Sequence, residues 1–213
     1  MRYLDRADAG RQLAVLLEKH REDLPVVLGL IPGGLPVAAE VAAALDAPLD
    51  ALVVRKIGVP DHPDLALGAV AAGARWLNEP VIAELGIPRP VVDQSVARET
   101  GEVEREEALY RPGRPPVEVA GRTVILVDDG LATGASGVAG SGLLRQLGAG
   151  RVVFAAPVCS EEGAARVRGE ADEVVCAASV PDFFAVSQAY HHCPRVTEEE
   201  VRQYLDLASL IKG

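Results

Sequence analysis

Residues 122–137 read RTVILVDDGLATGASG, and this stretch decides which fold the chain can adopt. Its apolar run, Val124–Val127, is β-branched at three of four positions, which is typical of a central strand of a parallel sheet that is buried on both faces. Asp128 and Asp129 end the run abruptly, where the carboxyl end of such a strand would reach solvent. A loop of small and hydroxyl residues and then a helical pattern follow. The stretch therefore predicts a strand, a loop and a helix of an α/β sheet.

The loop and the helix start have the chemistry of an anion site. Backbone N–H groups in a first helical turn lack intrahelical partners, and the helix dipole adds positive potential there. Thr133 and Ser136 add hydroxyl donors, and Gly134 would let the backbone approach a phosphate closely. Two acids beside such a site are explained if Asp128 and Asp129 bind sugar hydroxyls, a hydrated Mg²⁺, or both. The pattern predicts a phosphorylated sugar with its metal.

Other interpretations of the stretch fit its sequence less well. The glycines at 134, 137, 140 and 142 have the wrong spacing for a G-x-G-x-x-G dinucleotide fingerprint. No Gly-Lys-Ser/Thr occurs, which excludes a Walker-type loop. A plain αβ-loop whose acid pair only caps the helix is the simplest alternative, and phosphoryl-transfer or hydrolase chemistry at Asp128 is another.

The segment VILVDDGLATGAS resembles the phosphoribosyl-diphosphate (PRPP) motif of type I phosphoribosyltransferases. The resemblance extends over nearly the whole chain, from DRADAGRQLA through LDALVVRKIG to EADEVVC, and points to bacterial phosphoribosyltransferase-domain proteins. It implies a pentosyl transferase that binds Mg-PRPP, transfers the phosphoribosyl group to a nitrogenous acceptor such as a nucleobase, and releases pyrophosphate. A non-catalytic regulator that senses PRPP is the alternative within the family.

The resemblance also implies roles for individual residues. Asp128 and Asp129 would be the catalytic acids and would hold Mg²⁺ indirectly, through ribose or water. The substrate-binding residues of the loop would be Gly130, Ala132, Thr133, Gly134, Ala135, Ser136 and Gly137, of which those from Ala132 onward would bind the 5′-phosphate. Hypoxanthine-guanine enzymes carry an acid where this chain has Ala132, which disfavours a 6-oxopurine acceptor.

By the same resemblance, the pyrophosphate group would meet Gly33, Gly34, Arg55 and Lys56. The two glycines follow a predicted strand at 25–30. Relatives read Pro-Arg-Gly-Gly there, whereas this chain has proline at position 32, so an arginine is missing and the loop could instead be an ordinary turn. Loops at this place in the family often contain a cis peptide, which suggests one before this proline. A proline lowers the free-energy difference between the cis and trans forms of the preceding bond.

The cation pair Arg55-Lys56 ends a strand that we predict over 49–55. Adenine phosphoribosyltransferases have a similar Arg-Lys at the corresponding strand, which favours a site that faces pyrophosphate. A solvated strand end is the alternative.

The segment between Val59 and Val119 is rich in proline and has a broken apolar pattern. We expect residues 59–116 to be an inserted hood or flexible-loop region, with 1–58 and 117–213 forming the core. Within the insertion, the sequence predicts a hairpin over Leu65–Leu77 that turns at Ala72-Gly73, and an exposed helix over Ser95–Tyr110 that is interrupted near Gly101.

Strands and helices alternate elsewhere, which predicts a mostly parallel α/β sheet with helices on both faces and ligands beyond the carboxyl ends of the strands. We predict a first helix over Ala7–His20 with Leu13, Leu16 and Leu17 on its inner face. Later elements are predicted over Val37–Leu45, Arg151–Val158, Glu161–Arg168, Glu173–Cys176 and Thr197–Ile211. In the family, an aromatic ring after the last strand often lies near the acceptor, so Phe183 or Phe184 could stack on a planar substrate.

Composition limits the partners of the chain. A net charge of −10 over 213 residues argues against a general nucleic-acid surface. Three cysteines without paired spacing fit a reducing compartment. The N-terminus does not read as a signal peptide, and no apolar stretch approaches the length of a membrane span. We therefore expect a cytoplasmic protein with no membrane or nucleic-acid partner. We also expect it to form a homodimer.

Overall fold

The computed structural model describes residues 2–59 and 62–210. The strands are β1 (Val26–Leu30), β2 (Leu49–Leu52), β3 (Arg55–Val59), β4 (His62–Ala71), β5 (Ala74–Leu77), β6 (Thr123–Val127), β7 (Arg151–Cys159) and β8 (Glu173–Ser179). The α-helices are α1 (Arg6–Leu17), α2 (Gly34–Leu45), α3 (Glu79–Glu84), α4 (Arg89–Tyr110), α5 (Ala135–Gln146), α6 (Glu161–Val167) and α7 (Glu198–Leu210). Short 3₁₀ turns cover Glu18–Asp23 and Val186–Ala189.

A five-stranded sheet in the order β2-β1-β6-β7-β8 forms the core, and all of its strand pairs are parallel. The strand β6 is central, as its apolar run predicts. Its residues alternate between two buried clusters. Ile125 and Val127 pack under α1 and α2, whereas Val124 and Leu126 pack under α5 and α6. The predicted α/β architecture with helices on both faces is confirmed.

The first helix is shorter than predicted, and one of its inner positions is wrong. It begins at Arg6, where the Asp5 carboxylate accepts a hydrogen bond from the Asp8 N–H at 2.8 Å. Leu13 and Leu17 lie one turn apart and are fully buried, as expected for an i, i+4 pair. Leu16 falls on the edge of that stripe and is 44% exposed.

The predicted strand over 49–55 is wrong at its end. The strand β2 stops at Leu52, and Arg55 opens β3 in a second, antiparallel sheet with the order β3-β4-β5. The chain leaves the parallel sheet here because Arg55 pairs with Val70 of β4. The predicted hairpin is confirmed: Ala71 pairs with Ala74 across the turn at 72–73.

The helix α4 is continuous through Gly101, so the predicted interruption is wrong. One glycine in a helix interior costs only about 1 kcal/mol, which packing can offset. Buried Val92 and Val103 hold this helix against the second sheet and α7. It also starts earlier than predicted, at Arg89.

The remaining predicted elements are found with shifted ends. Thr197 and Glu200 form a capping box at the start of α7, in which the Glu200 carboxylate accepts from the Thr197 N–H at 2.8 Å. Ile211, the predicted last residue of that helix, lies outside the described residues. The Ile31–Pro32 peptide is cis.

Candidate active site at the carboxyl edge of the sheet

Two cavities lie beyond the carboxyl ends of the parallel strands and share Ile31, Asp128 and Ser136 as wall residues. The larger, which we call the acid cavity, has a volume of about 380 Å³. Its lining includes Arg6, Pro32, Gly33, Asp129, Arg195 and the loop at 130–136. The smaller, the Lys56 cavity, has about 330 Å³ and is also lined by Leu30, Val54, Arg55 and Lys56. The structure thus brings three predicted segments to one edge.

The loop after the acid pair turns into α5 at Gly134, whose φ of +82° lies in the left-handed region. A Cβ at this position would also lie 2.8 Å from the Gly163 carbonyl oxygen. Both the backbone conformation and the lack of space therefore favour glycine here. The Ala135 N–H donates to the Thr133 hydroxyl at 3.4 Å. Ala135 and Ser136, in the first turn of α5, line the acid cavity, and the start of a helix is where an anion is favoured.

Two glycines with predicted binding roles lie behind the cavity walls. A Cβ at Gly137 would lie 2.7 Å from a Val167 methyl and 2.9 Å from the Phe154 ring, so this residue lets α5 pack on the sheet. A Cβ at Gly34 would overlap the Val127 carbonyl oxygen. Both glycines shape the site through close packing, and neither lines the cavities.

The two acids differ in their surroundings. Asp128 is half-buried, and its carboxylate accepts from the Asp129 N–H at 2.9 Å. Asp129 is buried, at 7% exposure. Burial, together with the negative charge of Asp129, raises the pKa of Asp128 well above its ordinary value. A cation bound beside them would reverse this effect and favour both ionised forms.

The acid pair fits a magnesium ion that is held mainly by substrate and water. Mg²⁺ typically takes one or two carboxylates together with substrate phosphate oxygens and water. Within residues 2–59 and 62–210, no group of three or more acidic, histidine or cysteine side chains forms a complete cage. Asp128 and Asp129 are therefore the residues that could hold this ion.

Arg6 is the site residue that sequence reasoning missed. Its Nε donates to Asp129 Oδ2 at 2.8 Å, and its Nη1 donates to the Pro194 carbonyl oxygen at 2.6 Å. The guanidinium also lies over the Tyr190 ring, 5.9 Å from the centroid. Burial lowers the pKa of Arg6, but the hydrogen bond and charge of Asp129 outweigh it, so the net shift is upward. The only signal was its place in the stretch DRADAG, to which no role could be assigned.

Two tyrosines, Tyr3 and Tyr190, hold this arrangement together. The Tyr190 hydroxyl donates to the Asp129 carbonyl oxygen at 2.5 Å. Tyr3 forms a parallel bridge with Tyr190, and its hydroxyl donates to the Pro157 carbonyl oxygen at 2.9 Å. The N-terminal segment is thereby fixed at the carboxyl edge of the sheet, next to the acid pair.

The pyrophosphate side differs from the prediction. Gly33 lies against the acid pair, because a Cβ there would overlap Asp129 Oδ2. The Arg55 guanidinium is turned toward α4, where Nε donates to Glu99 at 3.1 Å and Nη1 to Glu106 at 3.3 Å. Lys56 is exposed at the rim of its cavity. Arg55 therefore lines the Lys56 cavity, but its guanidinium is directed to α4.

Phe183 and Phe184, the two predicted candidates for stacking on a substrate, differ in solvent exposure. Phe183 is buried at 4% exposure, whereas Phe184 is 77% exposed. Phe184 lines a third cavity of about 480 Å³, which shares Ala132 and Thr133 with the acid cavity. Phe184 is thus the ring available to a ligand next to the loop.

Comparison with known proteins gives the family. Residues 60–193 match the model of the phosphoribosyl transferase domain. The chain belongs to the phosphoribosyltransferase family. The predicted resemblance to this family is confirmed.

Two Mycobacterium tuberculosis proteins resemble this phosphoribosyltransferase-family chain, "Putative phosphoribosyl transferase Rv0571c" and the MT0597 protein of the same description. Each is 44% identical over 205 residues, covering 96% of this chain and 46% of the relative. The chain thus spans about half the length of these curated relatives. The crystal structure of TT1426 from Thermus thermophilus superposes with a TM-score of 0.88 at 41% identity and covers 96% of this chain and 98% of its own. Among the described residues, no helix is long and apolar enough to span a membrane.

Proposed function

We propose that this protein binds Mg-PRPP and transfers its phosphoribosyl group to a nitrogenous acceptor, with release of pyrophosphate. One observation carries the proposal: the acid pair at the end of β6 and the open first turn of α5 face one cavity of about 380 Å³. A helix start binds phosphate, and paired carboxylates bind sugar hydroxyls and a hydrated cation. A ligand with all of these groups is a phosphorylated sugar that carries its metal.

In the proposed complex, the loop at 132–136 holds the 5′-phosphate through backbone N–H groups and the hydroxyls of Thr133 and Ser136. Asp128 and Asp129 accept hydrogen bonds from the ribose hydroxyls. The pyrophosphate extends toward Gly33 and Lys56. When bound, Mg²⁺ would neutralise negative charge on the pyrophosphate and make it a better leaving group.

The reaction forms a bond between an acceptor nitrogen and C1 of the ribose while the bond from C1 to the pyrophosphate oxygen breaks. The electron pair of that bond leaves with pyrophosphate, and the acceptor nitrogen loses a proton. Positive charge develops on the ribose ring, where the nearby carboxylates stabilise it electrostatically. A planar acceptor could stack on exposed Phe184, beside Thr133 at the edge of the loop.

The proposal is tested by incubating the protein with PRPP, Mg²⁺ and a panel of nucleobases and related amines while pyrophosphate is measured. We expect release with one acceptor class and none without an acceptor. The matched control is the protein with Mg²⁺ and ribose 5-phosphate, which has no pyrophosphate to release. Failure to bind Mg-PRPP at all, measured by calorimetry, would overturn the proposal.

A PRPP sensor without transferase activity is the second candidate. It is favoured by the pyrophosphate side of the site, where the loop at 31–34 has no cationic side chain and Arg55 is paired with Glu99 and Glu106. Tight Mg-PRPP binding without pyrophosphate release, for every acceptor in the panel, would select this function.

A further inference from the structure

We propose that Arg6 binds the pyrophosphate group of the substrate, so that the N-terminal helix supplies the cation for this part of the site. The inference rests on the proposed function, because it requires PRPP to be the ligand. It deepens that function by assigning a residue that lies far from the acid pair in sequence and that lines the same cavity.

Arg6 lies directly beside the loop that would receive the pyrophosphate. Its Nε is 2.8 Å from Asp129 Oδ2, and that same oxygen occupies the space where a Cβ at Gly33 would be. Asp129 Oδ2 therefore lies close to both the guanidinium and the backbone of Gly33. An anion that rests on the backbone at 33 would lie within reach of the guanidinium.

The Arg6 side chain keeps a donor free for a ligand. An arginine has five N–H donors in a fixed planar fork. Nε donates to Asp129 and Nη1 to the Pro194 carbonyl oxygen, whereas Nη2 has no hydrogen-bond partner among residues 2–59 and 62–210. The Nη2 atom also keeps some exposure to solvent. Arg6 can thus keep its bond to Asp129 and donate to an oxygen of the substrate.

The fold holds this guanidinium in place before a ligand binds. The Arg6 side chain is only 13% exposed and is fixed by three contacts, with Asp129, Pro194 and the Tyr190 ring. Pre-organised donors bind an anion more tightly because less side-chain entropy is lost on binding. Arg195, which lines the same cavity, is exposed to solvent and would lose more of this entropy.

Helix packing sets the position of Arg6. A Cβ at Gly10 would lie 2.7 Å from both the Val37 carbonyl oxygen and the Glu40 Cβ, so glycine lets α1 pack closely on α2. The loop at 31–34 leads directly into α2. Close packing of these two helices therefore brings the first turn of α1, and Arg6 with it, to the loop.

The test compares Arg6→Gln with Arg11→Gln, which removes the same charge from an exposed position of the same helix. Calorimetry would measure the binding of PRPP, pyrophosphate and ribose 5-phosphate, each with Mg²⁺. We expect Arg6→Gln to weaken PRPP and pyrophosphate binding by about tenfold or more, and ribose 5-phosphate binding by less than about threefold. Arg11→Gln should leave all three affinities unchanged.

Two results would overturn the inference while leaving the proposed function intact. Equal weakening of ribose 5-phosphate and PRPP would show that Arg6 only positions Asp129. Unchanged PRPP binding would show that Arg6 does not contact the ligand. Wild-type protein that binds no PRPP would overturn the proposed function itself.

A second variant guards against misfolding of Arg6→Gln, which a thermal melt would reveal. Arg6→Lys keeps one charge for Asp129 but lacks the planar fork that would bind a second oxygen. We expect it to fold, to retain ribose 5-phosphate binding, and to lose affinity for pyrophosphate. Wild-type affinity for pyrophosphate in this variant would contradict the role of the fork.

Discussion

The candidate site has two halves, which we propose bind the 5′-phosphate and the pyrophosphate, and they are built in different ways. The phosphate half consists of Asp128, Asp129 and the loop at 130–136, which are neighbours in sequence and follow one strand. The pyrophosphate half brings together Arg6, Gly33 and Lys56 from three separate elements. The first half is a local consequence of a strand, a loop and a helix. The second exists only once the helices and the two sheets have packed.

The two halves also differ in whether they need cationic side chains to bind their part of the ligand. In the phosphate half, the donors are backbone N–H groups and hydroxyls, which need no cationic side chain. In the pyrophosphate half, the loop at 31–34 offers only backbone, and Arg55 is engaged by Glu99 and Glu106. A multiply charged group there needs donors from elsewhere. We propose that Arg6 supplies one, because its bonds to Asp129 and Pro194 use Nε and Nη1 and the residue lines the cavity.

Asp129 belongs to both halves, so its substitution should have the largest effect. Asp129→Asn removes a charge from the acid pair and leaves the Arg6 guanidinium without its anion. Losing hydrogen bonds from the ligand to a charged carboxylate typically costs about 1.5–3 kcal/mol, which corresponds to a loss of Mg-PRPP affinity of about 10- to 150-fold. Calorimetric titration would measure it. Asp93→Asn, at an exposed position of α4, is the control, and equal titrations for the two variants would count against the site.

Removal of Mg²⁺ should affect ligand binding differently in the two halves of the site. Asp128 and Asp129 would hold the ion together with substrate phosphate oxygens, because one or two carboxylates and substrate phosphates are its usual ligands. Chelation with EDTA should therefore weaken binding of PRPP and pyrophosphate by about tenfold or more, and binding of inorganic phosphate by less than about twofold. Loss of phosphate binding under the same conditions would show that the metal serves both halves.

The sequence was informative where neighbouring residues determine the structure. The strand at 124–127 is confirmed because a short apolar run rich in β-branched residues favours a strand that is buried on both faces. The turn at 72–73 and the cap of α7 are confirmed because turns and caps depend on a few adjacent residues. The candidate phosphate half can be predicted from the sequence for the same reason, because its residues are neighbours along the chain.

Errors arose where tertiary packing decided the outcome. Arg55 was assigned to the end of a parallel strand, but pairing with β4 makes it the first residue of another sheet and turns its side chain to α4. Packing against the second sheet carries α4 through Gly101. Arg6 could not be recognised because its partner, Asp129, is brought close only by the docking of α1 on α2.

Within the phosphate half, Gly134→Ala should weaken ribose 5-phosphate binding by about tenfold, since the loop must shift to relieve contact with the Gly163 carbonyl oxygen. Gly86→Ala is the matched control, because Gly86 also has a positive φ, of +61°, but a Cβ there meets nothing within 4 Å. Both variants should lose about 1 kcal/mol of unfolding free energy from backbone strain, measured by denaturation. Unaltered binding in Gly134→Ala would show that the loop conformation is not needed for the ligand.

The smallest effect is expected for Arg55, and it bears most directly on how the pyrophosphate half is built. Its guanidinium is paired with Glu99 and Glu106, so Arg55→Gln should lower the unfolding free energy by about 1 kcal/mol or less and change Mg-PRPP affinity by less than about threefold. Lys56→Gln is the companion variant, since Lys56 is exposed at the rim of the cavity, and it should weaken PRPP binding more than Arg55→Gln does. If calorimetry gave the reverse order, Arg55 would have to leave α4 when the ligand binds. The segment that contains α4 would then move when substrate binds. Arg55 and Lys56 would both face the ligand, as their adjacent positions in the sequence predict.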